Sequence, residues 1–144
     1  MNVSNYSIDI LAKKIQEMDV NKILALSKTL NHEISAKIMN HVPISFIISI
    51  SPYLSVDDKL PIIPKMNKNR VVEIFNYSPV EENKKIVKKL DPLFISDMIP
   101  LLQHDKVVEI IINIKKHEIH EFIHLKPYLY KFEKLKPYID SLFI

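Results

Sequence analysis

The residues of this chain whose types and spacing best suit chemistry are His120, Glu121 and His124, which spell H-E-x-x-H. On an α-helix the two histidines lie one turn apart on one face, where they could bind zinc while Glu121 polarises the attacking water. His117 lies one turn before His120 and offers a third imidazole. One hypothesis is therefore a zinc-dependent hydrolase with His117, His120 and His124 as metal ligands.

A twelve-residue period organises the elements that must position these side chains. From Ile8 onward, the seventh position of nine consecutive units is a large apolar residue, and these residues are Leu26, Ile38, Ile50, Ile62, Ile74, Ile86, Met98, Ile110 and Phe122. Apolar residues elsewhere in the unit follow the spacing of an amphipathic helix. The twelfth position usually holds an N-cap or turn residue, such as Asp19 or Asn31.

Self-similarity at a fixed period is typical of repeat proteins, whose stacked helices share a core. The sequence therefore predicts an all-α fold, a right- or left-handed superhelix (α-solenoid) of about eleven short helices. We expect a single helical-repeat domain over residues 1–144, with repeats from about 8 to 139 and an apolar C-terminal tail at 140–144. Pro61 interrupts one unit, which predicts a distorted or shortened helix around Lys59–Ile63.

Composition excludes several classes of function. The chain has no glycine and no cysteine, which argues against phosphate-cradling glycine loops, nucleophile elbows and thiolate metal sites. We expect no cofactor. The longest uncharged stretch, residues 38–56, contains His41 and two prolines, which make it too polar and too broken to cross a membrane. These features predict a cytoplasmic protein without membrane insertion.

The repeat also offers a plain explanation for the zinc motif. Phe122 and Ile123 fill the apolar seventh and eighth positions of their unit, and His124 fills the usually polar ninth position. A metalloprotease would also need a substrate cleft, commonly edged by a strand, and the sequence predicts no strand. We therefore interpret H-E-x-x-H as fortuitous and the chain as non-enzymatic, and keep the hydrolase as the second alternative.

Lysines near aromatic residues support a different alternative, a nucleic-acid-binding repeat protein. The lysines that would contact phosphates are Lys84, Lys85, Lys88, Lys89, Lys131 and Lys134. Lysine and aromatic side chains together can follow a phosphate backbone and stack on bases. The excess of positive charge is small, however, with 20 basic and 17 acidic residues and a single arginine. A lysine run is more often a solvated helix face, and aromatic residues near a chain end more often cover the core.

Apolar residues at normally polar repeat positions point to the leading hypothesis. Ile44 and Phe46 occupy such positions in one unit, and Leu93 and Phe94 occupy them in another. Either a tightly wound superhelix buries them, or they form an exposed patch of the kind that binds partners. The second reading predicts a scaffold or adaptor that binds a protein partner, or a second copy of itself, through Ile44, Phe46, Tyr53, Leu93 and Phe94.

One stretch carries a resemblance to a known family. Residues 90–102 read Leu-Asp-Pro-Leu-Phe-Ile-Ser-Asp-Met-Ile-Pro-Leu-Leu, and the middle of this motif recurs at 69–75 and 105–111. Residues 8–127 resemble the N-terminal superhelical repeat domain of MgtE-type magnesium transporters and the related repeats of the flagellar motor switch protein FliG. The resemblance implies a short-helix superhelix that contacts other domains. It does not extend to the CBS or membrane domains of those transporters, so it does not imply magnesium transport.

Overall fold

The computed structural model describes the backbone of residues 5–114 and 116–142, and their side chains except at positions 5, 6, 116, 117, 119, 120 and 142. Every regular element in these residues is helical, so the prediction of an all-α fold is confirmed. The chain divides into two compact units, Met1–Ile74 and Phe75–Ile144. The superhelical arrangement and the single domain stay predictions.

Short α-helices and 3₁₀ turns build the first unit. In chain order these are α1 (Asn5–Gln16), α2 (Val20–Thr29), α3 (His32–Met39), α4 (Ile44–Ile50), η1 (Ser51–Tyr53), α5 (Val56–Lys59), η2 (Ile63–Lys65) and α6 (Lys68–Tyr77). The boundary between the two units falls within α6. α1 packs against α3, and α3 packs against η2. The buried apolar side chains include Ile8, Ile38 and Val71.

The second unit continues with the same kind of element. It contains α7 (Val80–Val87), α8 (Pro92–Met98), η3 (Ile99–Leu101), α9 (His104–Asn113), η4 (Lys116–Leu125), α10 (Lys126–Leu129), η5 (Glu133–Leu135) and α11 (Lys136–Leu142). α7 packs against α9, α8 against η4, and α10 against both η4 and α11. Met98, Ile110 and Phe122, all at the seventh repeat position, are buried here.

Side chains at the twelfth repeat position begin several helices. Asp19 Oδ1 accepts a hydrogen bond from the Lys22 N–H (2.9 Å), and Asn31 Oδ1 accepts one from the Ile34 N–H (2.8 Å). Ser55 and Asp91 cap α5 and α8 in the same way. Such caps satisfy backbone N–H groups that the first helical turn leaves without a partner.

Proline shapes the ends of the helices. α5 stops at Lys59, just before Pro61, and the chain resumes a helical path only at η2. The expected shortening around Pro61 is therefore confirmed. The 3₁₀ turns η1, η2 and η3 each contain a proline, and η1 and η3 directly extend the α-helices before them. Proline tolerates the first positions of such turns because its missing N–H has no helical partner there.

Three twelve-residue units combine into one larger repeat of 36 residues. The helices from α2 to α9, and then η4, begin at even twelve-residue intervals, so their first residues alone do not group them. Taking every third helix gives three sets, which are α2, α5 and α8, then α3, α6 and α9, and then α4, α7 and η4. The sequence analysis found the shorter period and missed this grouping.

Two hydrogen bonds recur with the 36-residue step. The N–H of Asn67 donates to Asn40 Oδ1 (2.9 Å) in the first unit, and the N–H of Gln103 donates to Asn76 Oδ1 (3.0 Å) in the second. The Arg70 guanidinium donates to the Val42 carbonyl, and Lys106 Nζ donates to the Ser78 carbonyl (3.2 Å). Each partner lies 36 positions from its counterpart. The shared geometry identifies equivalent positions in the two units.

Candidate functional site

The predicted anchors of the first unit differ in exposure. Ile44 and Phe46, in the first turn of α4, are half-buried. Tyr53, at the end of η1, is 62% exposed. Because the two half-buried side chains already pack partly against their own unit, Tyr53 presents the larger apolar surface to solvent.

The predicted anchors of the second unit lie in the first turn of α8. Leu93 is 56% exposed, whereas its neighbour Phe94 is half-buried. The Asp91 carboxylate accepts a hydrogen bond from the Leu93 N–H (3.0 Å), and Pro92 occupies the first position of the helix. The cap and the proline fix the helix start, so the Leu93 side chain projects from a well-defined backbone.

Leu93 belongs to a longer exposed face that we call the leucine face, formed by Leu93, Asp97, Pro100 and Leu101 of α8 and η3. These four residues are exposed, and Leu101 is 50% exposed. Their spacing of i, i+4, i+7 and i+8 places them along one side of a helix. The other side of the same helix is buried through Ile95, Met98, Ile99 and Leu102. The leucine face therefore has an exposed leucine at each end, Leu93 and Leu101.

The 36-residue repeat provides an internal comparison for the two leucines. The residues equivalent to Leu93 are Asn21 in α2 and Asp57 in α5, and the residues equivalent to Leu101 are Thr29 in α2 and Lys65 in η2. All four of these equivalents are polar and exposed. The same fold positions thus accept polar side chains, so packing does not require leucine at 93 or 101.

The sequence analysis missed Leu101, which sits in a run of apolar letters at the end of its unit. Pro100 and Leu101 are exposed while the adjoining Ile99 and Leu102 are buried. Comparison with Lys65, which ends the equivalent turn, would have marked Leu101 as unusual. Lys65 and Leu101 both occupy the tenth position of their twelve-residue units, so the sequence alone allowed this comparison.

Asp97 is the one charged residue of the leucine face. Residues 90–103 contain Asp91 and Asp97 and no lysine, arginine or histidine, although the chain has 20 basic residues. Asp97 forms no ion pair with the side chains that the structure describes. The neighbouring η4, which packs on α8, carries residues of both kinds, with Glu118 and Glu121 beside one lysine and three histidines. Its one lysine, Lys116, has a side chain outside the described residues.

The lysines of the nucleic-acid alternative fall into two groups. Lys84 and Lys85 on α7 form ion pairs with Glu81 (3.5 Å) and Glu82 (3.6 Å) in their own helix. Lys88 and Lys89 follow that helix and are exposed, and Lys131 and Lys134 are exposed near η5. The two glutamates balance the charges of Lys84 and Lys85, so α7 presents a weaker positive potential to a nucleic acid than its lysines alone would.

The histidines of the zinc alternative lie on η4, which is a 3₁₀ rather than an α-helix. In a 3₁₀ helix every third residue shares a face, so positions 120 and 124 are about a third of a turn apart. The side chains of His117 and His120 lie outside the described residues, and His124 is exposed. Among the side chains that are described, no group of three or more histidines and carboxylates could hold a metal ion. The zinc site stays a prediction.

The second unit also contains a buried polar cluster that the sequence analysis did not single out. Asn83, which is 2% exposed, donates to the Phe75 carbonyl (2.9 Å) and to Glu109 Oε1 (3.3 Å). Lys106 Nζ lies 3.5 Å from Glu109 Oε2 while also bonding the Ser78 carbonyl. The side chains of Asn83, Lys106 and Glu109 each contact a protein partner, which indicates a structural role.

In the part of the chain that the structure describes, no helix combines the length and apolarity needed to cross a membrane. No protein-family model, curated protein or solved structure matches the chain.

Proposed function

We propose that this chain is a non-enzymatic helical-repeat module that binds another protein through the leucine face of α8 and η3. The observation that supports the proposal is the comparison between repeats. Leu93 and Leu101 are half-exposed leucines at positions that hold exposed polar residues in the two preceding repeats. An apolar side chain that the fold does not need, held in water on a rigid helix, is typical of a partner surface.

The free energy available from this surface is moderate. Burying a leucine side chain fully contributes about 2 kcal/mol, so burying the exposed halves of two leucines contributes about 2 kcal/mol in total. Phe94 and the neighbouring η4 would have to supply further contacts for a stable complex. The helix is already ordered by its cap and its buried face, so binding would cost little conformational entropy.

The wider architecture in this proposal is the short-helix superhelix that the sequence resembles, acting as a scaffold or adaptor. The recurrence of the same hydrogen bonds every 36 residues supports a regular arrangement of repeats. Ile44, Phe46 and Tyr53 of the first unit stay predicted contact residues, and the proposal does not depend on them.

The test uses substitutions taken from the protein's own repeats. The double variant Leu93→Asp and Leu101→Lys installs the residues that the preceding repeat has at these positions. The control Tyr77→His removes a side chain that is 64% exposed elsewhere in the second unit and installs the residue found 36 positions earlier, His41. Both variants should keep the circular dichroism spectrum and the Tm of the wild type.

Affinity capture from native lysate with the wild type, followed by mass spectrometry, identifies candidate partners. Each candidate is then purified and titrated calorimetrically against all three proteins. We expect the double leucine variant to lose binding and Tyr77→His to retain it. If the purified partners bind the double variant as tightly as the wild type, the leucine face is not the binding surface.

A further inference from the structure

We infer that the segment bound by the leucine face is a basic amphipathic helix with a lysine or arginine between two apolar residues. The inference rests on the proposed function and adds the chemistry of the partner. It uses two further observations, the spacing of the two leucines and the sign of the charge around them.

The spacing of the anchors matches that of a helical partner. Leu93 and Leu101 are eight residues apart, which is about 12 Å along a helix axis, and Asp97 lies midway between them. A partner helix that lies along this face would place apolar side chains over both leucines at positions i and i+7 or i+8. The partner residue between these two anchors, at i+4 or i+3 depending on the direction in which the partner helix runs, would then lie over Asp97.

Charge selects the residue at that central position. Asp97 is exposed and forms no ion pair with the side chains that the structure describes. A lysine or arginine at the centre of the partner helix would face an unlike charge, whereas a glutamate would face a like one. Charge complementarity of this kind governs which partner is accepted more than it governs total affinity.

The probes are two synthetic alanine-based helical peptides, each with two leucines spaced i and i+8. One carries lysine at i+4, and the other carries glutamate there. Fluorescence anisotropy of the labelled peptides measures Kd with the full chain at low ionic strength, at protein concentrations up to the millimolar range because two leucine contacts bind weakly. We expect the wild type to bind the lysine peptide about tenfold more tightly than the glutamate peptide, since like-charge contact replaces an ion pair.

Charge reversal on the protein tests the assignment to Asp97. In Asp97→Lys the preference should invert, so that the glutamate peptide binds more tightly. In the double variant Leu93→Asp and Leu101→Lys, both peptides should lose measurable binding. The position equivalent to Asp97 holds Ala25 in α2, so Asp97→Ala serves as a neutral variant that should bind both peptides with similar Kd.

The outcomes separate this inference from the proposed function. Absence of binding to the lysine peptide, or the same peptide preference in the wild type and Asp97→Lys, overturns the basic-helix inference. The proposed function then still stands if a purified natural partner is lost by the double leucine variant. Sedimentation velocity tests the remaining possibility, that a second copy of the chain occupies the leucine face. A dimer of the wild type that the double leucine variant abolishes would assign the face to a second copy of the chain and would also overturn the inference.

Discussion

Arg70 and Lys106 hold the same position in consecutive 36-residue repeats, and each donates a hydrogen bond from its charged side chain to a carbonyl 28 residues earlier in the chain. Val42 supplies the carbonyl for Arg70, and Ser78 supplies it for Lys106. Both carbonyls lie just beyond the end of a helix, where backbone oxygens lack intrahelical partners. In each unit a long cationic side chain thus donates a hydrogen bond to this backbone carbonyl, and the contact does not depend on the side chain at position 42 or 78.

Lys106→Met is expected to destabilise the protein by about 2 kcal/mol, because it leaves the Ser78 carbonyl and the Glu109 carboxylate without their buried cation. Lys106→Arg is expected to cost less, since arginine performs the same task at position 70. Urea unfolding followed by circular dichroism measures both. If Lys106→Met and Lys106→Arg destabilise the protein equally, arginine cannot replace lysine at position 106, contrary to the expectation from Arg70.

Asn40 and Asn76 make a second pair of equivalent contacts, and their substitution tests whether the two units share one design. Each amide oxygen accepts a hydrogen bond from the N–H of the residue that precedes the next helix of the same set. Asn40→Ala and Asn76→Ala should each cost about 1 kcal/mol in the free energy of unfolding. The exposed Asn21 in α2 provides the control, since Asn21→Ala should change stability by less than about 0.5 kcal/mol. A cost confined to one of the two sites would contradict their equivalence.

The sequence was most informative where burial alone decides the pattern. One apolar face per helix and one cap per turn produced the twelve-residue period, and Met98 and Phe122 are buried as their positions predict. Asp19 and Asn31 cap helices for the same local reason. Such features depend only on residues a few positions apart, so they can be predicted without a fold.

The grouping into threes was out of reach because it depends on contacts between distant residues. Asn76 reaches Gln103 and Lys106 reaches Ser78, and neither pair has a local signature. Leu101 was missed for a different reason, because the sequence alone does not show which of residues 99–102 are exposed. The 3₁₀ geometry of η4 was unexpected as well, because the spacing of His120 and His124 also fits an α-helix.

The double variant Leu93→Asp and Leu101→Lys should leave the free energy of unfolding within about 0.5 kcal/mol of the wild type, because surface substitutions away from special contacts have small effects. Ile95→Ala in the same helix is the contrasting variant. Ile95 is 1% exposed, and removing its side chain should cost about 3 kcal/mol by leaving a cavity. Chemical denaturation of the three proteins provides the comparison. A loss in the double variant approaching that of Ile95→Ala would mean that the leucines are structural.

Tyr130 gives the protein a contact that responds to alkaline pH. Its hydroxyl donates a hydrogen bond to the Asp140 carboxylate, and this bond raises the pKa of Tyr130 above its ordinary value of 10.0, with smaller contributions from desolvation and from the charge of Asp140. The folded protein therefore retains this proton at a pH where the unfolded chain has lost it. The associated stabilisation is complete below pH 10.0 and disappears as the pH rises through the folded-state pKa.

Asp140→Asn removes the carboxylate that accepts the hydrogen bond from the Tyr130 hydroxyl and should lower the pKa of Tyr130 towards 10.0. Carbon NMR of ring-labelled tyrosine follows the titration directly, with Tyr130→Phe assigning the resonance. Tyr138 is an internal reference, because burial rather than a carboxylate raises its pKa and the substitution should leave that pKa in place. If the pKa of Tyr130 is the same with Asp and with Asn at position 140, the hydrogen bond to residue 140 does not raise that pKa in solution. A parallel fall in the Tyr138 midpoint would instead indicate that the substitution had loosened the packing of the whole C-terminal segment.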